Sequence, residues 1–178
     1  MRKLAWAGHK NVNQQFLCAV IAMCERLKTD PNWMMGCMAF ETGPKSRFLP
    51  SARNQAGSSG TGLIQFMDST AKALGTTVER MAAMTQLEQL IYVEVYFKPY
   101  IGRLNSLEDL YMAILWPAAV GKPNDYVLFR QGTLAYSQNA GLDKNKDGVI
   151  TKGEASAIVQ QTYQMGLEGA FYGEVACG

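Results

Sequence analysis

Glu41 closes the apolar run at 38–40. In the stretch MAFETGPKSRFLPSARNQAGSSGTGLIQFMDSTA (38–71) the next acid is Asp68. Between them lie glycines, serines, two arginines and the compact segment Gly62-Leu63-Ile64-Gln65-Phe66. A carboxyl set among apolar side chains loses hydration. Its charged form is then disfavoured and it holds its proton toward neutral pH. Such a group is suited to general-acid work. Other chemistry is harder to assemble. His9 is the sole histidine and sits in a polar N-terminal segment, so no Ser-His or Cys-His dyad and no zinc site follows from it.

A second stretch, DKNKDGVITKGE (143–154), has the spacing of an EF-hand calcium loop without a gap. Calcium takes six to eight oxygen ligands. Asp143, Asn145 and Asp147 would supply theirs from side chains and Val149 from its carbonyl. Thr151 would act directly or through water, and Glu154 would close the site with both oxygens. Gly148 permits the sharp turn and Ile150 packs inward. The residues before the loop, AYSQNAGL, make a poor entering helix, and the chain holds one such loop where sensor proteins pair two. The expected role of Ca2+ is therefore structural.

The elements that would position these residues are helical. Apolar residues recur at helical spacing over 11–28. A second helix restarts at Asp30-Pro31, a cap followed by a proline suited to the first turn, and stops at Gly43-Pro44. Residues 44–61 read as loop, with Phe48 and Leu49 as anchors. Asp68 or Ser69 caps a short helix ending at Gly75. Further helices are expected over 77–84 and 85–98, with Leu87, Leu90, Ile91, Val95 and Tyr96 on the second. Another starts at Ser106, and a last one covers 152–164. Residues 121–150 are mixed, and no strand alternation persists. The class is mainly α.

With 178 residues the chain fits one domain, and 48% apolar residues suffice for a core. Seventeen basic against 15 acidic residues leave a formal charge of +2, and no basic stripe interleaves with aromatics, so nucleic acid is not an expected partner. No apolar run is long enough for a membrane span. The apolar stretch after Arg2 and Lys3 is too short for a signal-peptide core. Synthesis in the cytoplasm of a host is expected. Cys18, Cys24, Cys37 and Cys177 form no CxxC pair and read as mostly reduced and buried. Trp33 and Trp116 read as core.

Three ordered pieces of the chain resemble the soluble lytic transglycosylases, a family that shares its fold with goose-type lysozymes. Glu41-Thr42 is similar to the family's catalytic Glu-Ser. Gly62-Leu63-Ile64-Gln65-Phe66 followed by Asp68-Ser69-Thr70 resembles its Gly-Leu-Met-Gln and Pro-x-Thr motifs. Ala135-Tyr136-Ser137-Gln138-Asn139-Ala140-Gly141 resembles its Ala-Tyr-Asn-Ala-Gly motif with two residues inserted. The segment DPNWMMGCMAFE resembles the helix that carries the family's acid. The style is most similar to phage-encoded members, either endolysins or virion-associated muralytic proteins.

The resemblance implies a lysozyme-like domain of two lobes, acting as a monomer on peptidoglycan glycan strands after release to the wall or as a virion component. It implies cleavage of the β-1,4 bond between N-acetylmuramic acid and N-acetylglucosamine, with Glu41 as acid. Tyr136 would fold over Met38 and Phe40 and orient Glu41. Gln65, Thr42 and Asn139 would contact substrate, and the backbone of Gly62, Leu63 and Ile64 would border a cleft kept narrow and mobile by 58–61. Plain hydrolysis, as in a lysozyme, is the near alternative. A second acid brought near by folding (Asp68, Glu94, Asp109 or Asp125) would favour it. A calcium-stabilised wall-binding or virion module with Glu41 idle is the alternative outside enzymology.

Overall fold

The computed structural model describes residues 2–53 and 58–177, so residues 54–57 of the expected loop lie outside the described residues. The chain is mainly helical: α1 (Gln14–Leu27), α2 (Pro31–Glu41), α3 (Asp68–Ala73), α4 (Val78–Ala83), α5 (Gln86–Phe97), α6 (Leu107–Leu115), α7 (Leu134–Asn139) and α8 (Lys152–Gly166). No described helix is long and apolar enough to cross a membrane.

Helix α2 is the centre of the packing. It is apolar on all sides, as a helix surrounded by others must be. Met34, Met35, Cys37, Met38 and Ala39 are fully buried, and α1, α6 and α8 pack around it. Gly36 lets α8 approach, since a Cβ there would stand 2.9 Å from Tyr163 Cβ. The Asp30 side chain accepts from the Asn32 amide at 2.7 Å, with Pro31 in the first turn. Glu41 is thus delivered by the last turn of the most buried helix.

Among the described residues, four short strands appear where the sequence shows no persistent alternation. β1 (Arg2–Leu4) pairs antiparallel with β4 (Gly173–Val175). β2 (Val127–Arg130) pairs antiparallel with β3 (Val149–Thr151), bulged between Val127 and Phe129. Strands of three or four residues are too short for alternation to register in sequence, and these exist through partners distant in the chain. Inside α5 the inward face is Gln89, Leu90, Val93 and Phe97, while Ile91 and Val95 are 63% and 49% exposed. Gln89 goes inward because its amide bonds three backbone groups, which outweighs apolar periodicity there. Asp68 is not a cap: Met67 holds that position, and Asp68 pairs with Lys72 at 2.7 Å. Leu49 is 36% exposed, so Phe48 alone anchors the loop.

The cysteines are not all reduced. Cys18 on α1 is bonded to Cys177, while Cys24 and Cys37 are free and buried. Burial raises both free thiols, which leaves them unreactive as nucleophiles. The bond ties the strand pair β1–β4 to α1. Reduction, or Cys18→Ser, should lower stability by about 2–4 kcal/mol. Thermal melts with and without reductant check this, and the serine variant should be indifferent to reductant.

Candidate active site

Glu41 lies at the floor of a groove with two arms that share Phe40, Glu41 and Gln65. One arm, of about 370 Å³, runs between the end of α2, the turn at 43–46 and Arg53. The other passes between Ser58, Gly60 and Met67 on one wall and Tyr111, Ile114 and Leu115 of α6 on the other. Desolvation by this setting raises the Glu41 carboxyl from 4.5 to about 8. Its place at a helix C-terminus, where the backbone dipole presents its negative end, acts in the same direction. Among the described residues no hydrogen bond or ion pair engages this carboxyl, although Lys45 and Arg53 line the same arm. Arg53 is committed elsewhere: its Nη1 donates to Thr61 Oγ1 at 2.8 Å.

The carboxylates named as possible second acids are all occupied or remote. Asp109 is buried against Lys152, Glu94 is paired with Arg26, Asp68 with Lys72, and Asp125 lines a different groove. Glu41 is the one carboxyl among the described lining residues of either arm.

Gln65 reaches the groove from a left-handed backbone conformation, φ +53°, which costs a non-glycine residue about 1 kcal/mol or more. Its Nε2 donates to Gly62 O at 3.0 Å and Ala52 O at 3.2 Å, which turns the amide oxygen away from those carbonyls. Leu63 and Ile64 are buried, and of the segment 62–65 Gln65 is the residue that lines the groove, where Gly62, Leu63 and Ile64 were expected to border it. Gln89 on α5 clamps the turn, accepting from Leu63 N at 2.6 Å and donating to Met81 O at 2.9 Å and Pro50 O at 3.2 Å. Gly62, at φ +79°, is required because a Cβ would overlap the Gln89 amide. Gln89 is therefore a positioning residue that sequence reading passes over. The one signal is an amide beside the apolar residues of α5, and its backbone partners lie too far along the chain to be read with it.

Three expected contacts with substrate are placed differently. Thr42 is 5% exposed, and its hydroxyl donates to Met38 O at 2.5 Å and accepts from Phe48 N at 2.9 Å. It fastens the 43–48 turn to α2, so Thr42 borders the groove with its hydroxyl already committed. Tyr136 does not cover Glu41. Its hydroxyl donates to Asp143 Oδ2 at 2.6 Å, at the start of the acidic loop. Asn139 donates to Ala135 O at 2.9 Å, within α7. Both side chains are thus engaged by their own helix and the loop that follows it. The aromatic that packs over the floor is Tyr111, 6% exposed, edge-on to Phe40 at 5.6 Å between centroids. Burial, then the nearby Glu41 charge, push the Tyr111 phenol up, so it stays a neutral hydrogen-bonding group. Met38 is fully buried beneath.

In the acidic loop, Asp143 Oδ2 accepts from Tyr136 and from Gly148 N at 3.0 Å. These bonds, the Tyr136 hydroxyl foremost, hold the Asp143 carboxyl below its usual range. Asp147 accepts from Asn145 Nδ2 and Val149 N. Glu154 and Thr151 form a capping box at the start of α8. Ile150 is fully buried and stands opposite Phe129 in the β2–β3 ribbon. Among the described residues no three acids converge on one point. One oxygen nevertheless lacks a partner: Asp143 Oδ1 is buried and unbonded. An unpaired buried carboxylate oxygen is costly, and the first position of a calcium loop is where a cation would satisfy it. The donor set, all oxygen, fits a hard cation.

No protein-family model, curated protein or solved structure matches the chain.

Proposed function

We propose that this chain is a peptidoglycan-cleaving enzyme of lysozyme-like, two-lobed architecture. It cuts the β-1,4 bond between N-acetylmuramic acid and N-acetylglucosamine as a lytic transglycosylase. One observation carries the reading: a groove whose floor is a single desolvated carboxyl, with no second carboxylate among its described lining residues. Most glycosidases place two carboxylates at the bond, and substrate-assisted enzymes are an exception. Here the 2-acetamido oxygen of the muramic acid stabilises the anomeric carbon in place of a partner acid. Glu41, protonated near neutrality, gives its proton to the leaving glycosidic oxygen. The carboxylate so formed then takes the proton of the sugar's own 6-hydroxyl, whose oxygen bonds to the anomeric carbon and closes a 1,6-anhydro ring. Gln65 and the Tyr111 hydroxyl orient the acetamido group. The two walls, one from 58–67 and one from α6, correspond to the proposed lobes.

The Cys18–Cys177 bond suits an oxidising compartment such as the bacterial periplasm or a virion surface, where a chain made in a host cytoplasm would meet the wall. The test is the mass of muropeptides released from purified wall material. A product one water lighter than the hydrolytic one supports this reading. A hydrated product assigns water as the attacking group, and no product leaves a binding or virion module.

Ca2+ is proposed as a structural ion on Asp143, Asn145, Asp147, Val149, Thr151 and Glu154. Its binding would satisfy Asp143 Oδ1 and lock the β2–β3 ribbon to α8. Chelation should lower the melting temperature by several degrees, as loss of a ligand that binds only the folded state does. Asp143→Ala should abolish the response. A melting temperature indifferent to chelator and to added calcium would retire the ion.

A further inference from the structure

Trp116 ends α6, and the proline after it forces an extended backbone (φ −151°, ψ 82°). The indole is thereby thrown out of the helical register and is 39% exposed, contrary to the expectation that it is core. It stands edge-on to the buried Phe129 of β2, with 5.1 Å between centroids, so its position is fixed while a face stays available. It borders a groove of about 720 Å³, with Tyr126, Asp125, Arg130 and Thr133 around it. Concave, mostly apolar sites with a few placed polar groups are the usual form of small-ligand sites. The C-terminal end of α6 serves both grooves: Ile114 and Leu115 line the one over Glu41, and the next residue, Trp116, lines this one.

We propose that this groove is a remote saccharide subsite, in which Trp116 and Tyr126 stack on sugar rings of the glycan strand whose cleaved bond lies over Glu41. The inference rests on the cleavage reading for the identity of the strand. The chemistry of the lining selects the ligand. Asp125 and Arg130 offset each other at the rim, and Lys122, whose Nζ stands 5.7 Å from the Tyr126 ring centroid, adds one positive charge, which suits a polyhydroxylated strand whose muramic acids carry lactyl carboxylates once the stem peptides are removed. Asp125, Arg130 and Thr133 offer acceptor, donor and hydroxyl to ring hydroxyls. The indole supplies a flat, rigid apolar face. Such a subsite would hold a long strand in register and leave the turnover of short oligosaccharides unaffected.

The probe is glycan strands stripped of stem peptides, added to the full-length 15N-labelled Glu41→Gln chain so that nothing is cut. The chain holds three tryptophans, and Trp6, 1% exposed, is an internal control. The Trp116 indole resonance should move and that of Trp6 should stay. Trp116→Ala in this background should bind strands about tenfold more weakly, as expected on truncating an aromatic anchor. Trp116→Phe, which keeps the packing on Phe129, should fall between. With Glu41 present, Trp116→Ala should raise KM for long strands and leave kcat on short oligosaccharides unchanged. An unmoved Trp116 resonance, equal strand affinity in the alanine variant, or a shift caused by free stem peptides alone overturns the subsite. Failure of the cleavage reading looks different: strands would still move Trp116, yet the Glu41-containing chain would release no muropeptide.

Discussion

Glu41→Gln should lower wall clearing by a factor of about 100 to 10,000, the usual worth of a positioned general acid, with no loss of stability. The glutamine keeps the shape of the side chain and cannot give up a proton to a leaving oxygen. The stability effect has a defined sign. The folded carboxyl titrates near 8 against an ordinary 4.5. Below 4.5 both folded and unfolded chains hold the proton, and burial carries no charge penalty. Between 4.5 and 8 the unfolded chain is ionised while the folded chain stays neutral, so stability declines as pH rises through that window. Above 8 the folded chain is ionised as well and the penalty is complete. Glu41→Gln removes the penalty at every pH. Its melting advantage over the parent should therefore be absent in acid, grow through the window and level off above it. Wall clearing by the parent should fall as pH passes about 8, when the acid loses its proton. Turbidity assays across pH, beside thermal melts of both proteins, measure all of this. Equal clearing by the two proteins would take the chemistry away from this residue.

What was legible in the sequence was what is encoded within a few residues. The Asp30-Pro31 start of α2, the Ser106 cap of α6 and the helical class each depend on neighbours along the chain, and α2 and α6 start where those signals place them. The position of Glu41 was legible for the same reason: an acid at the end of an all-apolar helix is carried to the edge of the core. The inward Ile150 follows from loop geometry in the same way. What was not legible depended on partners far away. Tyr136 reads as a lid over Glu41 until its hydroxyl finds Asp143, seven residues on. Gln89 drew no reading from the sequence, because the Leu63 N it accepts from lies 26 residues back. Cys18 and Cys177 are 159 residues apart and come together only because β1 pairs with β4. Trp116 has the composition of a core residue, and Pro117 is the local signal that would have corrected it. In each case a hydrogen bond or a backbone restriction outranked apolar periodicity.

Lys152→Met should cost about 3–5 kcal/mol, because it breaks a buried ion pair from one side. Lys152 is 2% exposed, the least expected place for an ammonium. Its Nζ donates to Asp109 Oδ1 at 2.5 Å and to Lys122 O at 2.7 Å, while Gly121 N donates to the same Asp109 oxygen at 2.7 Å. The pair thus gathers three segments: the first turn of α8 beside the acidic loop, the first turn of α6, and the turn after Trp116. Removing the ammonium leaves Asp109 buried with a single backbone donor. For a chain of this size the loss corresponds to a fall in melting temperature of roughly 10 °C. Desolvating two charges is itself expensive, so the pair adds little net stability over an apolar replacement, and its larger effect is to fix geometry. The double variant Asp109→Leu, Lys152→Met tests that distinction. It should recover a good part of the loss, with a coupling energy between the sites of 1 kcal/mol or more in a double-mutant cycle. Recovery stays partial because Gly121 N and Lys122 O each lose a partner. Since α6 also carries Tyr111 and Trp116, the double variant should bind glycan strands more weakly than its stability alone accounts for. If the single variant melts within a degree of the parent, the ammonium is solvated in solution and the three segments are held together by something else.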